Sequence, residues 1–121
     1  MSIINNREIQ ANQAGLILQA GSFAPAGAGA PTAIFGNFTV VRTAAGRFTI
    51  TWAETAMRLV ALVATCQLVG NATDIYAQCG IQTATTAIIR TLTAATETDI
   101  AADANNRVTF VAIWQEDTSI T

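Results

Sequence analysis

A chain of 121 residues with a net charge of -2, no histidine and no lysine has room for one compact domain, which at this size hides roughly two thirds of its unfolded surface. Six arginines against eight acids do not make the basic footprint of a nucleic-acid binder, and the lack of histidine removes the commonest general base and the commonest zinc ligand together. The longest uninterrupted apolar run, Leu59 to Ala64, falls far short of the ~20 residues that a membrane-spanning helix needs.

Half of the residues are hydrophobic (51%) and the mean hydropathy is +0.40, yet only 12% are charged, well below the usual quarter of a soluble domain. So uncharged a surface invites partners. Eighteen threonines add β-compatible surface suited to sheets packed on other sheets or other chains.

In chain order, Met1 to Glu8 lacks the basic start and apolar centre of a secretory signal, so export is not expected. Asn5, Glu8, Ile4 and Ile9 have the spacing of a helix cap with a hydrophobic staple, which predicts a short helix from Asn6. Gly15 to Gln19 reads as a strand. Ala20 to Ala33, rich in Gly and Ala and holding Pro25 and Pro31, reads as an extended arm. The expected division is therefore an N-terminal arm over residues 1–33 and a β-domain over residues 34–121. The apolar groups Ile3, Ile4, Ile9, Leu16, Ile17 and Leu18, with Phe23 and Phe35 flanking the Pro/Gly tract, are the candidate interface residues, because a solvated tail has little use for them.

Gly36 to Ala53 carries the clearest signal. Apolar residues alternate with threonines on both sides of Ala44-Ala45-Gly46, the period of a half-buried β-hairpin. A three-residue loop with Gly46 in the left-handed conformation pairs Phe38 with Trp52, Val40 with Ile50 and Arg42 with Phe48 on the core face. Thr39 with Thr51, Val41 with Thr49 and Thr43 with Arg47 share the other face, and Arg42 is placed to stack on Phe48.

Arg58 to Val69 and Asp74 to Thr83 are further strand candidates, divided by the turn-rich Gly70 to Thr73, and Ala87 to Thr93 follows. Ala94 to Asn106 reads as a long polar loop with a single helical turn. In Arg107 to Gln115 both alternation sets are apolar, as in a central strand or one beneath a neighbouring subunit. The fold class is thus all-β: an antiparallel β-sandwich, jelly-roll-like or immunoglobulin-like, of six to eight short strands.

No residue set predicts catalysis. Ser2, Ser22 and Ser119 sit in no nucleophile elbow, and the acidic pairs Glu97 with Asp99 and Glu116 with Asp117 read as solvated loop acids. Asp103, Asn105 and Asn106 begin like a calcium loop, but Val108 and Trp114 stand where it needs Gly and Glu. No metal and no cofactor are expected. Cys66 and Cys79 would face each other in one hairpin if the intervening turn had four residues, yet their apolar neighbours mark them as unbridged core thiols.

The hairpin F-T-V-V-R-T-A-A-G-R-F-T-I-T-W and the closing R-V-T-F-V-A-I-W-Q resemble the small β-sandwich modules of tailed-bacteriophage virions, over about Gly36 to Gln115. The chain looks most similar to capsid cement, or decoration, proteins. That resemblance implies a non-enzymatic homotrimer on the capsid exterior, made in the host cytoplasm, that holds major capsid protein subunits together. On the charge balance and the short apolar runs, no nucleic-acid and no membrane partner is expected. Tail-fibre and C1q-like tip modules share the pattern; on that alternative, Ala94 to Asn106 would contact a host receptor or glycan.

Overall fold

A computed structural model of the chain describes residues 16–53, 57–69 and 75–116. The predicted helix from Asn6, the Gly70 to Thr73 break and the acid Asp117 lie outside them. Among the described residues all regular structure is strand: β1 (Leu16–Ala26), β2 (Gly29–Phe35), β3 (Phe38–Ala44), β4 (Arg47–Trp52), β5 (Met57–Gln67), β6 (Tyr76–Ile81), β7 (Thr86–Thr93), the two-residue β8 (Thr96–Glu97) and β9 (Arg107–Glu116). They build an antiparallel β-sandwich of two sheets, ordered β2-β1-β9-β5 and β3-β4-β7-β6, with β8 added to β7.

The β3–β4 hairpin has the expected register from Phe38 with Trp52 to Arg42 with Phe48. Gly46 takes φ +64°. A Cβ there would lie 2.5 Å from the Thr98 nitrogen and 2.7 Å from the Thr91 oxygen, so the position demands glycine for space as well as for φ. At the tip the pairing differs from expectation. Arg47 pairs with Ala44 and not Thr43, a register shift that draws Ala44 out of the loop and into the strand.

The largest departure is the N-terminal tract. Residues 16–33 are not an arm outside the sandwich: they form the β1–β2 hairpin of the first sheet. β1 lies between β2 and β9, matched to β9 from Leu16 with Gln115 to Phe23 with Val108. The prolines fit because Pro25 and Pro31 are buried near the β1–β2 turn, where the register shifts twice and fewer ladder donors are required. Gly27, at φ +59°, makes the turn, and its N–H donates to the Ile100 carbonyl at 2.9 Å.

Inward residues of both sheets meet in one core of Phe23, Phe48, Ile50, Trp52, Phe110 and Trp114 with smaller aliphatics. The Trp52 ring stands edge-on to Trp114 at 5.1 Å and to Phe110 at 5.8 Å, the geometry that aromatic quadrupoles favour. Trp114 is fully buried, and its indole N–H donates to Gln19 Oε1 at 3.1 Å. Gly21 makes room for this cluster, since a Cβ there would stand 2.5 Å from the Phe110 ring.

Two other sequence readings are corrected. The loop expected between β7 and β9 begins with a tight hairpin rather than a helical turn: Thr93 pairs with Thr96 across Ala94 and Ala95, both at positive φ (50° and 70°). Alanine rarely adopts that conformation, and the sequence carries no Gly or Asn to announce it. β5 and β6 are not a hairpin but neighbours in chain order that belong to opposite sheets.

Candidate functional site

The acids of the β7–β9 connection have structural partners. Arg42 occupies an inward position of β3 where a cation needs compensation, and Asp99 supplies it. Arg42 Nε donates to Asp99 Oδ1 at 3.0 Å and Nη2 to Oδ2 at 2.7 Å, while the Gly46 N–H donates to Oδ1 at 2.8 Å. The Arg42 hydrogen bonds hold the Asp99 carboxyl below the usual carboxylate range against its partial burial, helped by the Gly46 N–H and the Arg42 charge. The expected Arg42–Phe48 stack thus gives way to an ion pair. The cation–π contact among the described residues is Arg107 over Phe35, at 5.0 Å.

Glu97 accepts from Arg47 Nε at 2.9 Å and lies 3.5 Å from Arg90 Nε. Asp103 caps the Asn105 N–H at 2.9 Å, and buried Asn106 accepts from the Val69 N–H and donates to the Ala101 carbonyl. The residues that resemble the start of a calcium loop are engaged in closing a turn. A depression of about 500 Å³ between this turn and the β1–β2 hairpin has Asp103 as its ionisable lining group. These arrangements fix loops to the sandwich; they do not converge on a reacting centre.

Cys66 and Cys79 are free thiols, on β5 and β6. They stand on facing sheets: Cys66 pairs with Val108 and Cys79 with Ile89, so they are not cross-strand neighbours. Burial, reinforced by the neighbouring Cys79, pushes the Cys66 thiol up to about 11, and burial also raises Cys79. Both stay protonated and behave as small apolar core residues.

The two outer faces of the sandwich differ in how their apolar residues are grouped. On the β3-β4-β7-β6 sheet the outward set mixes Thr39, Thr49, Thr51, Arg47 and Arg90 with the apolar Val41, Ile88 and Tyr76, of which Val41 is 57% and Tyr76 49% exposed. On the β2-β1-β9-β5 sheet the outward residues form two apolar rows across three strands, Leu18–Ile113–Ala61 and Ala20–Val111–Val63. Their inward neighbours Val108, Phe110, Ala112 and Trp114 are at most 2% exposed, whereas Leu18 is 38%, Val111 36% and Val63 61% exposed. Phe35, 65% exposed, extends the same face at the Ser22 position. Large apolar groups gathered on one sheet face, without charge between them, are the mark of an association surface.

The structure divides the sequence-predicted interface residues. Ile3, Ile4 and Ile9 lie outside the described residues. Leu16, Leu18 and Phe35 belong to the apolar face, and Ile17 is exposed at the opposite side of β1 near its end. Phe23 is a core residue, fully buried with its ring 5.0 Å from Phe48. Sequence reasoning missed Val63, Ala61 and Ala20 as members of the face. The signal that could have found them is the double apolar alternation of β9, whose Val111 and Ile113 select by pairing the strand residues beside them. Compared with known proteins, the chain matches no family model, no curated protein and no solved structure.

Proposed function

We propose that this chain is a non-enzymatic virion structural protein, a cement protein that assembles as a homotrimer on the exterior of a phage capsid and holds major capsid subunits together. The observation that carries the reading is the apolar outer face of the β2-β1-β9-β5 sheet, with Val63, Val111, Leu18 and Phe35 in water. Such a face does its work by being covered, and burying apolar area between subunits raises the free energy needed to separate them. The compact tying of the 94–106 loop to Arg42, Arg47 and Tyr76 favours a rigid module over a receptor-reading loop. The resemblance of the β3–β4 hairpin and β9 to virion modules supplies the capsid setting. Reconstructions of particles with and without the protein test the assignment: extra density bridging capsomers, and earlier thermal disruption of particles lacking it, are expected. Unchanged particles together with binding of the isolated protein to host cells would overturn it in favour of a tip module.

A further inference from the structure

We propose that Cys66 and Cys79 are an oxidation site: a small-molecule disulfide converts the two thiols into an internal bridge that staples β5 of one sheet to β6 of the other. The proposal goes beyond the cement reading and does not depend on it, although a virion leaving a reducing cell would meet such an oxidant.

The place of the pair in the fold is what recommends it. One sheet ends in β5 and the other in β6, and among the described residues no ladder joins these two edges. A backbone bond from the Leu59 N–H to the Ala84 carbonyl, at 2.8 Å, ties the seam near the start of β5. Cys66 lies near the other end of that strand. β5 and β6 bring Cα atoms within 8 Å of each other, less than the ~10 Å between sheets packed face to face and close to the span of about 4.4–6.8 Å that a disulfide needs. Leu62, Ala64 and Cys66 on β5 and Ala77 and Cys79 on β6 all pack against the core, so both thiols open into the same seam. The inward residues beside them, Ala64 and Ala77, are small and leave the sulfurs room to turn toward each other. Cys79 meets the β5 backbone at Ala64, two residues from Cys66, and the two thiols influence each other's ionisation. Both are only half-buried, within reach of a small reagent.

The chemistry balances with oxidised glutathione as the oxidant. Burial raises both thiols, but the Ala64 backbone opposes the rise at Cys79, whereas at Cys66 the neighbouring Cys79 adds to it. Cys79 therefore reacts first. Its thiolate attacks one sulfur of the oxidant and releases a glutathione thiolate; the Cys66 thiolate then attacks the Cys79 sulfur of the mixed disulfide and releases the second. The two cysteines give up two electrons and two protons, and the oxidant becomes two thiols.

The test treats the full chain, reduced and freed of reductant, with oxidised glutathione at mildly alkaline pH, both native and in strong urea. Acid-quenched samples are read by intact mass and peptide mapping. The native chain should carry an internal Cys66–Cys79 bridge, without glutathione adduct or dimer, formed at equilibrium at least about tenfold more favourably than in urea. By closing the ring of residues 66–79, the bridge should raise the melting temperature by about 5–12 °C, and reductant should return it. Cys66→Ala should stop at a glutathione adduct on Cys79 with no such rise; should it fail to fold, the wild-type chain with and without reductant decides alone. Glutathione adducts or intermolecular dimers in place of the internal bridge would overturn the inference. So would a bridge no more favourable than in urea, or a bridged chain that melts no higher than the reduced one. None of these outcomes touches the cement reading.

Discussion

Phe23→Ala separates a core strand from an arm more sharply than any other single change. Phe23 is fully buried, packs 5.0 Å from Phe48 and pairs with Val108 on β9. Truncating a phenylalanine in such a setting costs about 3–5 kcal/mol, the lost transfer free energy plus a cavity that relaxes only partly. A chain of this length has a net stability of roughly 6–18 kcal/mol, so the variant loses about a sixth of it or more. At about 4 °C per kcal/mol the melting temperature falls by roughly 12–20 °C, and the urea midpoint drops by about 2 M. Val41→Ala is the internal comparison: Val41 is 57% exposed on the outer face of the other sheet, and its truncation costs less than about 1 kcal/mol. Thermal and urea unfolding followed by circular dichroism measures both. Equal effects of the two substitutions, or a Phe23→Ala loss under about 1 kcal/mol, would refute the placement of β1 in the sandwich.

Two further outcomes are expected. The Asp99 carboxyl is held below its ordinary value by the Arg42 hydrogen bonds, so its stabilisation is complete above the unfolded-state pKa and is lost as pH falls through the folded one. Asp99→Asn should therefore melt a few degrees below wild type at neutral pH, with the gap closing below about pH 4; a gap undiminished at strongly acid pH would dismiss the ion pair. Because burial raises both thiols, Cys66 to about 11, an aromatic disulfide reagent at mildly alkaline pH should label the native protein at least about tenfold more slowly than the unfolded chain, and equal rates would contradict the placement of the cysteines inside the sandwich.

The amino-acid sequence by itself determined the elements in which patterning and turn chemistry agree. In β3–β4 the alternation of Phe38, Val40, Phe48, Ile50 and Trp52 with threonines leaves one register that buries the aromatics, and only Gly46 can close the turn. β9 was legible as a central strand because both of its alternation sets are apolar. Its outward set also foretold a surface needing cover. Tertiary structure decided the rest. Glycine, alanine and proline in β1 and β2 carry no strand signal of their own; what makes them strands is the unpaired edge of β9 and the space that Gly21 leaves for Phe110. Ala94 and Ala95 adopt left-handed backbone because the Thr98 N–H, donating to the Thr91 carbonyl, closes the turn around them, and Gly46 and Arg42, donating to the Asp99 carboxylate, fix the path of the chain beyond it. The partners of Arg42 and the cysteines are many residues distant along the chain. Local periodicity reports which face a side chain takes, but only the packing of one sheet on the other determines what it meets there.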